Sequence, residues 1–160
     1  MKRLLQYTAF AFLVIFTACD NKPKTQNTAE AGFDAMIFSR GEKITNNNFT
    51  GGAWLNSLVQ PDSINQTSVG NVTFEPGART RWHAHPGGQI LLVTSGVGYY
   101  QEKGEAKRIL RKGDVVKCPP NVFHWHGASS DTGFVQLAIT GREKGETVWK
   151  EVVTDEEYDD

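Results

Sequence analysis

A chain of 160 residues with 39% hydrophobic and 22% charged positions has enough apolar material for one core, so its composition excludes a disordered chain. Its formal net charge of −1 argues against nucleic acid as a partner. Two cysteines, Cys19 and Cys118, are too few for a disulfide framework.

The N-terminal residues point to secretion. Lys2 and Arg3 precede an apolar run from Ala9 to Ala18, too short to span a bilayer comfortably. The run ends in Phe16-Thr17-Ala18-Cys19, which resembles a bacterial lipobox, in which the cysteine becomes the acylated first residue. The expected division is a signal peptide over 1–18, a lipidated, polar tether over 19–34, and one domain over 35–160 with its barrel core at 67–140. Such a chain crosses the inner membrane and stays in the bacterial envelope, lipid-anchored and facing the periplasm or the outer surface. Two hydrophobic anchors suffice for stable attachment, and an acylated N-terminal cysteine carries more. Cleavage removes Lys2 and Arg3 and no acid, which takes the net charge from −1 to −3. Cys118, between Lys117 and Pro119, then has no disulfide partner and reads as a small buried apolar residue.

From Trp54 onward the chain reads as short strands separated by Gly, Pro and Asn. Strands are expected at 53–59, 67–74, 80–85, 89–94, 98–102, 106–110, 114–118, 123–127, 134–140 and 147–152. Glu75-Pro76-Gly77, Ser95-Gly96, Lys103-Gly104, Lys112-Gly113-Asp114 and Pro119-Pro120-Asn121 supply the turns, with Gly96 and Gly98 forming a hairpin. No stretch keeps a helical period, and Thr154-Asp155-Glu156-Glu157 reads as a single capped turn at the end. The expected class is all-β, a sandwich or barrel.

All four histidines fall in two His-x-His pairs, His83/His85 and His124/His126. Residues two apart on a strand point the same way, so each pair converges on one face. Imidazole is the commonest metal ligand among side chains. Two convergent pairs point to a metal centre rather than to histidines scattered through a core. No thiolate accompanies them, and an N/O donor set suits Mn²⁺, Fe²⁺, Ni²⁺, Co²⁺ or Zn²⁺.

Written with their spacings, Gly77-x5-His83-x-His85-x3-Gln89-x6-Gly96 and Gly113-x5-Pro119-x-Asn121-x2-His124 resemble the two motifs of the cupin superfamily. Gln89 stands where glutamate is usual, and Asn121 where glycine is. The runs from Val72 to His83 and from Pro119 to Gly127 resemble one subgroup, which holds carboxymuconolactone decarboxylase-associated cupins and bacterial cupin-type hydroxynitrile lyases. The resemblance implies a single-domain jelly-roll barrel holding one divalent metal ion, Mn foremost. It implies His83, His85, Gln89 and His124 as ligands, with His126 facing the same cavity unligated as the acid–base candidate. Gln89 would ligate through its amide oxygen; the missing glutamate charge leaves the ion more electrophilic.

Strand alternation from Gln89 adds Leu91 and Val93 to the pocket lining, and the subgroup adds Gly70 and Val72. Gln136, Ala138 and Thr140 share one face of the C-terminal strand, opposite Val135, Leu137 and Ile139. The lyase-like members usually carry histidine at the position of Gln136, and glutamine cannot carry a proton as a general base. The resemblance thus implies a Lewis-acid enzyme on a small organic substrate, cyanohydrin cleavage being the named example. The alternatives are a metal-dependent dioxygenase and a non-catalytic envelope-tethered module that holds metal or a small ligand. A homodimer is implied as well, with 35–40 as a candidate swapped edge strand.

Overall fold

The computed structural model describes residues 36–160; the expected signal peptide, lipidated Cys19 and tether lie outside the described residues. The described chain is almost entirely strand. In order these are β1 (Glu42–Lys43), β2 (Phe49–Thr50), β3 (Ala53–Val59), β4 (Thr67–Phe74), β5 (Arg79–Thr80), β6 (His83–Ala84), β7 (Gln89–Glu102), β8 (Arg108–Arg111), β9 (Val115–Cys118), β10 (His124–Ala128), β11 (Phe134–Gly141) and β12 (Val148–Trp149). One helix, α1 (Asp155–Asp159), follows.

Two antiparallel sheets face each other, and β7 belongs to both. Its first half pairs with β9 and β11, and β11 continues through β4 and β3 to β1. Its second half pairs with β8 and β10, and β10 continues through β5 to β2 and through β6 to β12. This is the curled, double-sheet all-β architecture expected from the sequence. Alternation sets the faces: Leu91 and Val93 are buried between the sheets with Val72, Phe74, Tyr100, Leu110, Val116 and Phe134, while Ile90 is exposed. Cys118 is a free thiol in this core, pushed up to about 12 by burial, and is an inert packing residue as expected.

Two expectations about the strands are corrected. The segments 89–94 and 98–102 are one strand, with no hairpin at Ser95-Gly96. Gly96 has φ +78° and lies against the Gly133 carbonyl, and β11 shifts register between Val135 and Gln136. The glycine permits a bend that carries β7 from one sheet to the other, which reads in sequence like a turn. Conversely, 80–85 is broken, because Arg81 and Trp82 leave the ladder between β5 and β6. The strand expected at 147–152 is only the two residues of β12.

Residues 36–40 form no strand, and Ser39 is tied to its own chain by Asn56 Nδ2 (3.2 Å to the carbonyl, 2.9 Å to Oγ) and Asn71 Nδ2 (3.3 Å). The capped turn is present. Thr154 Oγ1 accepts from the Glu157 backbone N–H, and the Glu157 carboxylate accepts from that of Thr154.

Candidate metal centre

Three histidine side chains from two neighbouring strands meet between the sheets. His124 on β10 sits opposite His83 on β6, and their ring centroids are 4.4 Å apart. His85 lies just past β6, 5.0 Å from His83 by ring centroid. One nitrogen from each of His83, His85 and His124 comes within 4.8 Å of the other two, and all three residues are buried.

Each ring is oriented by its far nitrogen. His83 Nδ1 donates to the Arg81 carbonyl and His124 Nδ1 to the Val122 carbonyl, both at 2.9 Å and both two residues back. His85 Nδ1 lies 3.1 Å from Thr147 Oγ1. A proton on each Nδ1 leaves the Nε2 lone pairs for a ligand. Nε2 of His85 and Nε2 of His124 are buried without a hydrogen-bond partner. Orphaned buried acceptors cost free energy unless something binds them. Burial pushes every one of these imidazoles below the ordinary 6.5, His85 to about 3 and His83 well below, with neighbouring histidines adding repulsion at His83 and His85. Neutral rings with converging lone pairs fit a divalent cation.

Gln89 lies within reach. Its Nε2 donates to Thr140 Oγ1 (2.9 Å), its Oε1 accepts a long contact from Cys118 Sγ (4.0 Å), and it is close enough to His85 to act on its protonation. Asn121 has φ +61°, a left-handed conformation that asparagine tolerates better than most residues, and this accounts for its place where the second motif usually has glycine. The turn it closes delivers β10.

A cavity of about 510 Å³ opens over the histidines. His83, His85, Gln89, His126, Gly70, Val72 and Thr140 line it. Leu91 and Val93 are buried in the core beside it, outside that lining. Gln136 is also absent from the lining. It is fully buried behind His126, and its Nε2 lies 2.8 Å from His126 Nδ1 while its Oε1 has no partner. His126 stands edge-on to Phe74 and is held well below its ordinary pKa by burial and by His124.

Sequence reasoning missed Thr147, Trp149, Arg142 and the apolar wall of Ile44, Phe49 and Leu55. Parity could have found some of them. Arg142 continues the series Gln136, Ala138, Thr140, and Thr147 alternates with Trp149, which stacks 4.8 Å from His83. The contribution of Phe49 depends on the pairing of β2 with β5, which no local pattern announces.

A double-sheet barrel with three convergent histidines at the base of an open pocket defines a class, and the comparisons agree: the chain belongs to the cupin superfamily. Residues 70–140 match the Cupin domain family. An (R)-mandelonitrile lyase of Granulicella tundricola is 47% identical over 111 residues, covering 69% of this chain and 85% of that protein. The crystal structure of a cupin-like protein from Thermotoga maritima superposes with a TM-score of 0.76 at 52% identity, over 78% of this chain and 95% of that one. A cupin 2 conserved barrel domain protein from Rhodopseudomonas palustris shares the fold at 15% identity, with a TM-score of 0.58 over 72% of this chain and 78% of that one.

Proposed function

We propose that this protein is a metal-dependent lyase acting on a small hydroxyl-bearing organic substrate, cyanohydrin cleavage being the model reaction. The observation that carries this is the pair of orphaned Nε2 atoms on His85 and His124 beneath an apolar-walled cavity that also holds an unligated imidazole, His126. Relatedness to a mandelonitrile lyase supplies the reaction class. His83, His85 and His124 would hold the cation, Mn²⁺ by preference, with Gln89 Oε1 as fourth ligand. When bound, the cation would supply Lewis acidity toward an oxygen or nitrile of the substrate.

The remaining chemistry belongs to His126 and Gln136. With the Gln136 amide donating to Nδ1, His126 carries its proton on Nε2. The other amide end has no partner, so turning the amide exchanges one unpaired end for the other, and both tautomers of His126 are supported. With Oε1 facing Nδ1–H, Nε2 is free to take the hydroxyl proton. As the C–CN bond breaks, its electron pair leaves with cyanide, which takes the proton back from Nε2. The products are an aldehyde and HCN. Phe49 and Trp149, in the cavity wall, would keep water off the reacting carbon.

The test is elemental analysis of the purified protein, paired with mandelonitrile cleavage followed by benzaldehyde absorbance. The expected result is about one divalent ion per chain, lost in His124→Ala, with cleavage strongly reduced in His126→Ala at unchanged metal content. Metal without cleavage would leave a binding module as the function.

The same reading includes a lipid anchor on Cys19 at the cell envelope and a homodimer. Supporting the dimer, the outer face of β7 and β11 carries Ile90, Leu92, Leu137 and Ile139 beside exposed Val115. Light scattering of the mature chain should give twice the monomer mass, and Ile90→Lys should halve it.

A further inference from the structure

The mouth of the cavity holds a cation that the reaction above does not use. Arg142 follows β11 directly and lines the cavity with its side chain 27% exposed. Its Nε donates to Ser68 Oγ (3.1 Å) and its Nη1 to Thr147 Oγ1 (3.1 Å), the hydroxyl that also meets His85. Nη1 also reaches Glu146 Oε2 at 3.3 Å, but that carboxylate is 91% exposed. An ion pair whose acid sits in water is screened and exchanges readily. Nη2 has no protein partner among the described residues. The guanidinium is therefore half desolvated, fixed in orientation by two hydroxyls, and weakly neutralised. That is the state of a group prepared to receive an anion rather than one occupied in holding the fold.

The rest of the lining sharpens the choice of ligand. Apart from Arg142 and Glu146, the lining residues carry no full charge while the histidines are neutral, and Phe49, Leu55, Val72 and Trp149 make much of the wall apolar. Arg142 is one hydroxyl away from His85, and its charge acts on that ring. A ligand spanning the two would need a planar anion at one end and an oxygen at the other, with an apolar body between. Guanidinium forks match carboxylates in this way.

We propose that Arg142 is a specificity-determining residue that binds a carboxylate. The substrates of this site are then small aryl or alkyl hydroxy acids, with the carboxylate displacing Glu146 and the hydroxyl directed to the histidines. This rests on the reading of His83, His85 and His124 as a metal centre only for the hydroxyl end; the carboxylate end stands on Arg142 alone.

The experiment compares 3-hydroxy-3-phenylpropanoate with its neutral amide by calorimetry, in metal-loaded and metal-free protein. The acid should bind at least about tenfold more tightly than the amide. That preference should survive removal of the metal and collapse toward one in Arg142→Gln, with the amide's affinity and the metal content unchanged. Glu146→Gln, an exposed change that cannot threaten folding, should raise the acid's affinity a few-fold and leave the amide's alone. Equal affinities in the native protein, a preference that persists in Arg142→Gln, or no response to Glu146→Gln would each overturn the proposal. A carboxylate preference in protein that takes up no metal would uphold Arg142 while refuting the metal-centre reading.

Discussion

Strand β10 presents two opposite environments within three residues. His124 and His126 face inward, and Trp125 between them faces out into a cluster with Trp82, Val153 and Tyr158. In the outer cluster the polar groups at its centre have partners within the chain. Trp125 Nε1 donates to Gln101 Oε1 (2.8 Å), Trp82 Nε1 to Glu157 (3.3 Å) and Tyr158 Oη to the Ala128 carbonyl (2.8 Å). Arg79 donates to the Val153 carbonyl and stacks 4.5 Å from the Tyr158 ring. On the inner face His85 Nε2, His124 Nε2 and Gln136 Oε1 are left unpaired. One face completes its hydrogen bonds by folding; the other leaves two imidazole lone pairs open to a ligand and one amide oxygen unpaired behind His126. Stability and function can therefore be perturbed separately.

The largest separation should come from pH. Burial holds His83, His85, His124 and His126 below 6.5 in the folded protein, so each is neutral there while the unfolded chain takes up protons below about 6.5. The unfolded state binds more protons, so stability is full above 6.5 and falls as pH drops from there toward 3. The slope is up to about 1.4 kcal/mol per pH unit for each histidine. Urea midpoints of the metal-free protein should be flat from pH 8 to 7 and fall steeply from 6.5 to 5. Bound metal should hold the midpoint to lower pH, because protons must then displace it. A flat profile through pH 5 would show that the inner face carries no such cost.

Removing the outer anchor should act on stability alone. Trp125→Ala deletes a fully buried indole and should cost about 3–5 kcal/mol in urea unfolding. Metal content should be retained wherever the variant is folded, since the ring faces away from the site. Thr147→Val acts in the opposite sense. It removes the acceptor that orients His85 and should lower metal affinity about 10–100-fold, read by competition with a chelator. Its urea midpoint without metal should stay close to that of the native protein.

The inner face was legible in sequence because ligand chemistry compresses into spacing. Each His-x-His pair shares one face of its strand, and the family motifs imply for His126 a role apart from that of His83, His85 and His124. What sequence concealed depends on packing. Leu91 and Val93 have the same parity as Gln89 and face inward with it, but they pack among Val72, Phe74, Val116 and Phe134 in the core beside the cavity. Gln136 is on the inward face, where its contact is with His126 rather than with the cavity. On the outer face, Trp82 and Trp125 were legible as residues opposite the histidines. Their cover was not, because it comes from Val153 and Tyr158, at the far end of the chain, and no local pattern ties that segment to β10.

The smallest expected effect probes how that cover is fastened. Arg79 Nη2 meets Asp155 Oδ1 at 2.6 Å, a short charged contact that invites a large estimate. Yet the Asp155 side chain is 87% exposed, so its charge is solvated in both states, and Asp155→Asn should cost only about 0.2–1 kcal/mol. The buried part of the fastening is the bond from Arg79 to the Val153 carbonyl, at 3.1 Å from Nη2 and 3.3 Å from Nε. Arg79→Met would leave that carbonyl unpaired beneath α1 and should cost about 1–3 kcal/mol. Urea unfolding of both variants at high salt separates the two contributions. Salt should shrink the small loss in Asp155→Asn and leave most of the larger one. If instead Asp155→Asn costs as much as Arg79→Met, the outer face is held by its surface charge rather than by the buried hydrogen bonds that set it apart from the metal-binding face.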